Sequence, residues 1–189
     1  MTDPSAERDL ERTLRLLLDR TEILDCISRC ARGMDRHDAA LIASAYHPDA
    51  VDDHGVFRGG VREFIRHVNG DGDGEPGAHG RLFQSHLHYL TNTSIELAGD
   101  TAYAESYYLF SGDSKDGAGV LLTFGRYIDR LERRDDEWRI AHRRVILEYS
   151  AALDTHGAVA TETAALFARG QWDRSDLSYE GRLDSRGSG

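Results

Sequence analysis

Apolar residues recur at three- and four-residue spacing through the first third of the chain, and at every second residue from about Leu82 onward. The first period predicts helix. Leu24, Ile27, Ala31 and Met34 form one stripe on a helix running from about Leu10 to Met34, with residues 1–9 a disordered lead-in and Gly33 fraying the end. Asp38 is placed to cap a short second helix, Ala39 to Tyr46, which Pro48 ends. Ala50 to Phe57 predicts a small hairpin turning at His54-Gly55, and Val61, Phe64, Ile65 and Val68 mark a third helix. Asn69 to Gly80, rich in Gly and Asp, predicts a solvated loop. Its Asp71, Asp73 and Glu75 lack the Gly and the distal Glu that a calcium loop needs.

The second period predicts strands over Leu82–Leu97, Thr101–Ser111, Val120–Arg133 and Trp138–Tyr149. Gly99-Asp100, the Gly-rich stretch 112–119 and Arg134-Asp135-Asp136 are the turns between them. Helices followed by long hairpin-connected strands predict an α+β fold in which a curved antiparallel sheet wraps the N-terminal helices. Residues 151–189 form a C-terminal extension, with a short helix over 161–169 and a disordered tail over 184–189.

A chain of 189 residues is enough for one domain with one core. The net charge of −10 disfavours phosphate backbones, so a nucleic acid is not expected as partner. No apolar run reaches the roughly 20 residues that cross a bilayer, and the polar start shows no signal-peptide pattern. The only two cysteines, Cys26 and Cys30, are expected to be reduced core residues of a cytoplasmic protein.

The candidate chemistry lies on the helix end and the first long strand. His86, His88, Leu90 and Asn92 alternate onto one strand face. Asp35, four residues beyond Ala31, either points to water at the helix end or turns inward and needs a partner. An Asp bonded to one imidazole nitrogen fixes the tautomer and leaves the other as a base. The same Asp35 with His86 and His88 could instead form a metal triad, but a hydrogen bond between Asp35 and His88 would occupy the atoms that a metal takes. Arg143 and Arg144 face opposite ways, and the Ala141/Val145 register turns Arg143 inward. There it is either an ion-pair partner or a stabiliser of negative charge. Tyr103, Glu105 and Tyr107 alternate on the next strand and offer a hydroxyl donor. Tyr127 and Trp138 are expected in the core or pocket wall. Neither a dinucleotide fingerprint nor a serine nucleophile elbow is present.

Three segments taken together resemble the SnoaL-like, nuclear-transport-factor-2-like family over roughly residues 12–150. They are Gly33-Met34-Asp35-Arg36-His37-Asp38, Leu87-His88-Tyr89-Leu90-Thr91-Asn92, and Arg126 to Arg133 followed by Trp138 to Arg144. The family includes a hexachlorocyclohexane dehydrochlorinase, a bile-acid 7α-dehydratase and scytalone dehydratase. The resemblance implies a cone-shaped α+β barrel around a deep apolar pocket, within a domain at 10–150. It implies that Asp35 and His88 form the catalytic pair with Arg143 assisting. His86, Asn92, Cys30, Tyr107 and Tyr103 are expected to meet substrate. Cys30 stands where the bile-acid enzyme has a functional Tyr, so a phenolic donor must come from elsewhere or be absent. The implied activity is a cofactor-independent, metal-free lyase. It would eliminate water, or cleave a carbon–carbon bond, on a small apolar, cyclic or aromatic substrate. An isomerase, a polyketide cyclase or a non-catalytic ligand-binding protein would use the same pocket. A homodimer or homotrimer is expected, because one layer of helices cannot cover both sheet faces.

Overall fold

The computed structural model describes residues 3–70, 75–154 and 168–179. Asp71 and Asp73, the helix expected over 161–169 except its last two residues, and the tail 184–189 lie outside the described residues.

Helix α1 (Pro4–Asp35) starts well before Leu10, so residues 4–9 of the expected lead-in are helical instead. The cause is local: the Asp3 carboxylate accepts from the Ser5 amide at 2.9 Å, and Pro4 sits in the first turn, where its missing N–H costs nothing. The second half of α1 buries Ile23, Cys26, Ile27, Cys30, Ala31 and Met34, whereas Leu24 is 43% exposed. The stripe therefore begins at Ile23. α2 (Ala39–Ser44) is capped as expected, the Asp38 side chain accepting from the Leu41 amide at 3.0 Å.

β1 (Tyr46–Asp53) begins earlier than expected and runs through Pro48. Its pairing is irregular between Tyr46 and Val51, which is where a residue without an N–H can sit in an inner strand. β2 (Arg58–Gly60) completes the hairpin and α3 (Val61–Asn69) follows. The chain then forms a short helix, α4 (Ala78–Leu82), where a loop was expected. β3 (Phe83–Ala98), β4 (Thr101–Ser114), β5 (Val120–Arg134) and β6 (Glu137–Leu153) are the long strands. Their tight turns match the sequence: Gly99 has φ +65°, and Asp135 and Asp136 have φ +51° and +62°.

The strands form one sheet in the order β2-β1-β6-β5-β4-β3. It is mixed rather than wholly antiparallel, because β1 pairs with β6 in parallel, and it is an open cone rather than a closed barrel. A parallel pair needs a long crossover, which the chain from α3 through β5 supplies. The core between α1 and the sheet centres on Trp138, whose indole N–H donates to Asp19 at 3.0 Å. Among the described residues, no helix is long and apolar enough to cross a membrane.

Candidate active site

Asp35 is the last residue of α1, an unfavourable end for a carboxylate because the helix carbonyls point there. Three N–H contacts offset this, all from one residue. The His88 backbone amide donates to both carboxylate oxygens at 3.0 and 3.1 Å, and Nδ1 of its ring lies 2.6 Å from Oδ1. Both side chains are nearly enclosed, at 5% exposure for His88 and 10% for Asp35. With Nδ1–H donated to the carboxylate, Nε2 carries the lone pair. The ring forms part of the wall of a cleft of about 240 Å³, with Met34, Val68, Phe83, Phe110 and Tyr127.

The same cleft holds a second histidine–carboxylate pair. Asp52, fully buried on β1, accepts the Tyr46 hydroxyl at 2.7 Å and bonds Nδ1 of His54. His54 lines the cleft and stacks on Phe64 at 4.7 Å. The sequence expectation placed His54 at a turn tip and missed it. The signal was its alternation with Asp52 and Ala50, which puts them on one strand face.

Tyr108 was missed too. It stacks on Tyr127 at 4.5 Å and lines the cleft, and burial pushes its phenol above the ordinary range, so it stays protonated at neutral pH. Gly125 makes the room: a Cβ there would stand 2.6 Å from the Tyr108 hydroxyl. Tyr103 and Tyr107, expected at the site, are 53% and 44% exposed on the opposite face of β4. The inward positions of that strand are Ala102, Ala104, Ser106, Tyr108 and Phe110. Asn92 is also off the site. The pairing of β3 is irregular between Leu90 and Thr93, so alternation resumes with Thr93, Ile95 and Leu97 inward, and Asn92 is exposed.

Arg143 points inward as expected, but its guanidinium is fully buried and forms a two-pronged ion pair with Asp129, 2.7 Å on each arm. It lies over the Tyr127 ring at 4.2 Å, behind the cleft wall, and does not line the cleft. The expected direct contact with substrate charge is therefore corrected to a supporting one. Cys30 is likewise behind the wall, 3.6 Å from the Tyr46 hydroxyl and 3.4 Å from Arg143, with its thiol pushed up by burial. His86 is 3% exposed and faces a separate cavity of about 470 Å³ lined also by Trp172 and Arg36.

Among the described residues, two sets of three side chains bring possible metal-ligating atoms within 4.8 Å of one another: Asp35, His86 and His88, and His37, His79 and His86. The first would have to break the Asp35–His88 bond.

The buried imidazoles set an acid limit on stability. Burial, and then the neighbouring His88, lower His86 from 6.5 to about 4, and burial lowers His37 and His79 as well. The unfolded chain takes up these protons near pH 6.5 and the folded chain does not. Stability is therefore full above pH 6.5 and falls as pH drops toward 4. His86 alone is worth ~3 kcal/mol at the acid end, or roughly 6–12 °C in melting temperature. Melting temperatures measured from pH 7.5 to 4 are expected to follow this course, with His86→Asn flattening it. A wild-type profile flat below pH 6.5 would contradict the buried neutral state.

The sequence matches the SnoaL-like domain family over residues 15–144. The fold is similar to solved structures. Hexachlorocyclohexane dehydrochlorinase LinA-type3 from Novosphingobium barchaimii LL02 superposes with a TM-score of 0.66 at 24% identity, covering 75% of this chain and 94% of that one. A candidate scytalone dehydratase from Novosphingobium aromaticivorans DSM 12444 gives 0.64 at 16% identity, covering 75% and 91%. A nuclear transport factor 2 (NTF2-like) superfamily protein from Salmonella enterica serovar Typhimurium LT2 gives 0.59 at 21%, covering 68% and 90%. At these identities the likeness concerns the fold alone. A comparison with curated proteins returned no match.

Proposed function

For a chain that belongs to the SnoaL-like domain family, as this one does over residues 15–144, we propose a lyase that eliminates water or another small group from a small apolar, cyclic or aromatic substrate. One observation carries this reading: a carboxylate 2.6 Å from Nδ1 of an imidazole that lines an apolar cleft. A pocket that only bound ligand would have no need of a titratable pair held in this way. Nε2 of His88 takes the proton from substrate carbon, and Asp35 stabilises the imidazolium that forms. His54, held by Asp52, is the second acid/base group and protonates the leaving oxygen. The Tyr108 hydroxyl donates to substrate oxygen as charge develops. The proton gained by His88 and the one lost by His54 are re-equilibrated through water. No electrons are gained or lost, so the elimination calls for no redox cofactor. The dehydrochlorinase and dehydratase among the similar folds agree with this class of reaction.

The test uses cyclic and aromatic compounds that carry an acidic C–H one carbon from a hydroxyl or halide, incubated with the protein in deuterium oxide and followed by NMR. Elimination, or deuterium entering at the acidic carbon, is expected for at least one compound class. Saturable binding across the panel with neither outcome would make the protein a ligand-binding module instead.

We also propose a homodimer or homotrimer. The outer sheet face leaves Leu87, Tyr89, Tyr107 and Tyr149 between 39% and 59% exposed. Leu10, Leu14 and Leu17 form an uncovered seam on α1, at 49–59%. Such apolar area usually marks an interface. Light scattering at micromolar concentration is expected to give two or three times the chain mass of 21.1 kDa. A monomer mass would contradict the assignment.

A further inference from the structure

We infer that His37, His79 and His86 form a binding site for one divalent transition-metal ion of the zinc class. The three rings come from separate elements: the turn after α1, helix α4 and strand β3. Their centroids lie 4.4 Å (His79–His86), 5.3 Å (His37–His86) and 6.5 Å (His37–His79) apart. One nitrogen from each lies within 4.8 Å of the other two.

The hydrogen bonding singles out these rings. Six buried side-chain nitrogens and oxygens among the described residues have no partner, and half of them are His37 Nε2, His79 Nδ1 and His86 Nδ1. A buried polar atom without a partner is costly. Each of the three clustered rings therefore carries one buried nitrogen that a shared ligand would satisfy. The opposite nitrogen of His86 faces the Met34 carbonyl at 3.3 Å, which places the proton on Nε2 and leaves the lone pair on Nδ1 free to ligate. His37 is held at φ +49°, a left-handed conformation that few side chains adopt, and its ring stacks on Trp172 at 4.2 Å. Burial also keeps the rings neutral, which is the ligating form.

The donors select the ion. Three imidazole nitrogens suit Zn(II), Co(II), Ni(II) or Cu(II), whereas Mg(II) and Ca(II) require oxygen. Around a tetrahedral ion with metal–nitrogen distances of about 2.0–2.1 Å the donors sit roughly 3.3 Å apart, so the rings have to close in slightly by side-chain rotation. His86 also lines the 470 Å³ cavity, from which water or a small ligand can complete the fourth position. The site uses neither Asp35 nor Nδ1 of His88. His79 also lines the cleft, 6.0 Å from the His88 ring, but the site shares no ligand with the acid/base pair and does not rest on the lyase reading.

The test takes the full-length protein stripped with chelator and titrates it with Co(II), followed by visible absorption and calorimetry, with displacement by Zn(II). One equivalent per chain is expected. His37→Gln and His79→Gln should each weaken binding roughly 100-fold or more, at the upper end of what loss of even an outer-sphere partner does to metal sites. Asp35→Asn should leave binding within a few fold of wild type. Circular dichroism and apo melting temperatures check that the variants fold. If one does not, the histidine side-chain nitrogen resonances of the wild type decide, three of them shifting on Zn(II) addition. No Co(II) binding at millimolar concentration overturns the site. So does binding lost in Asp35→Asn but kept in His37→Gln and His79→Gln, which would place the ion on Asp35, His86 and His88. Binding unaffected by all three substitutions overturns it as well.

Discussion

His88→Gln is expected to slow the elimination ~10²–10⁴-fold, the range that a positioned general base contributes. Glutamine can keep a hydrogen bond to Asp35 but offers no nitrogen able to take a proton. Asp35→Asn should approach the same loss by another route. The imidazole would no longer have a carboxylate to donate to, so its tautomer and orientation would be released, and the imidazolium formed in the reaction would lose its counter-charge. The backbone N–H of His88 also bonds Asp35, so the asparagine oxygen can retain that contact and the fold. Because the two side chains act as one unit, the double variant is expected to be no slower than His88→Gln alone. His54→Gln separates the two pairs. If His54 is the acid, its loss should impair departure of hydroxide, which needs a proton, far more than departure of halide, which does not. Steady-state rates on a hydroxyl and a halide substrate, with melting temperatures beside them, decide the assignment. A His88→Gln enzyme within about threefold of wild type would remove His88 from the chemistry, since a base contributes at least ~10².

The legibility of this site in the sequence follows physical lines. Asp35 and His88 could be read because each sits on a long, regular element, where period fixes the face. The carboxylate at the end of the α1 stripe and the histidine alternating with His86 are brought together as expected. Faces became unreadable where regularity broke. The irregular pairing after Leu90 reversed the alternation and carried Asn92 outward. On β4, tyrosines occupy both faces, and composition could not say that the small residues Ala102, Ala104 and Ser106 mark the inner one. Pro48 reads as a helix stop, yet it lies in a pairing irregularity inside β1, because only tertiary contacts reveal that the next strand pairs in parallel with β6. Asp52 and His54 were hidden by that same misplacement. His79 sits on a single turn of helix too short to show a period. Arg143 was assigned the right face without its partner. Asp129 meets it across the β5–β6 pairing, whose register shifts between Arg130 and Leu131.

That partner makes Arg143 the position of largest expected effect on stability. Both side chains of the Arg143–Asp129 pair are 0% exposed, and the neighbouring Asp52 is buried as well. The burial cost on the guanidinium is overcome by the Asp129 charge first, and the arginine is held protonated well above its ordinary range. Arg143→Met removes the cation paired with Asp129 and leaves that carboxylate buried without its counter-charge. Breaking a buried pair in this way costs about 3–5 kcal/mol, or roughly 6–20 °C in melting temperature for a chain of this size. The double variant Arg143→Met/Asp129→Leu should recover most of the loss, because a buried pair exchanged for packed apolar groups is often near neutral. Recovery of stability need not bring recovery of activity. Arg143 lies against the Tyr127 ring and Tyr46 bonds Asp52, so the cation also sets the charge balance behind the cleft wall that holds His54. A double variant that is stable yet slow on the hydroxyl substrate would assign Arg143 a positioning role through the Asp52–His54 pair. A double variant as fast as wild type would make it purely structural. Arg143→Lys completes the series: one ammonium cannot span both Asp129 oxygens as the guanidinium does at 2.7 Å on each arm. A loss of stability between wild type and Arg143→Met is therefore expected. A single Arg143→Met variant within 1 kcal/mol of wild type, below the ~3 kcal/mol expected for a broken buried pair, would mean that Asp129 is neutral or hydrated in solution, contrary to the enclosed two-pronged pair.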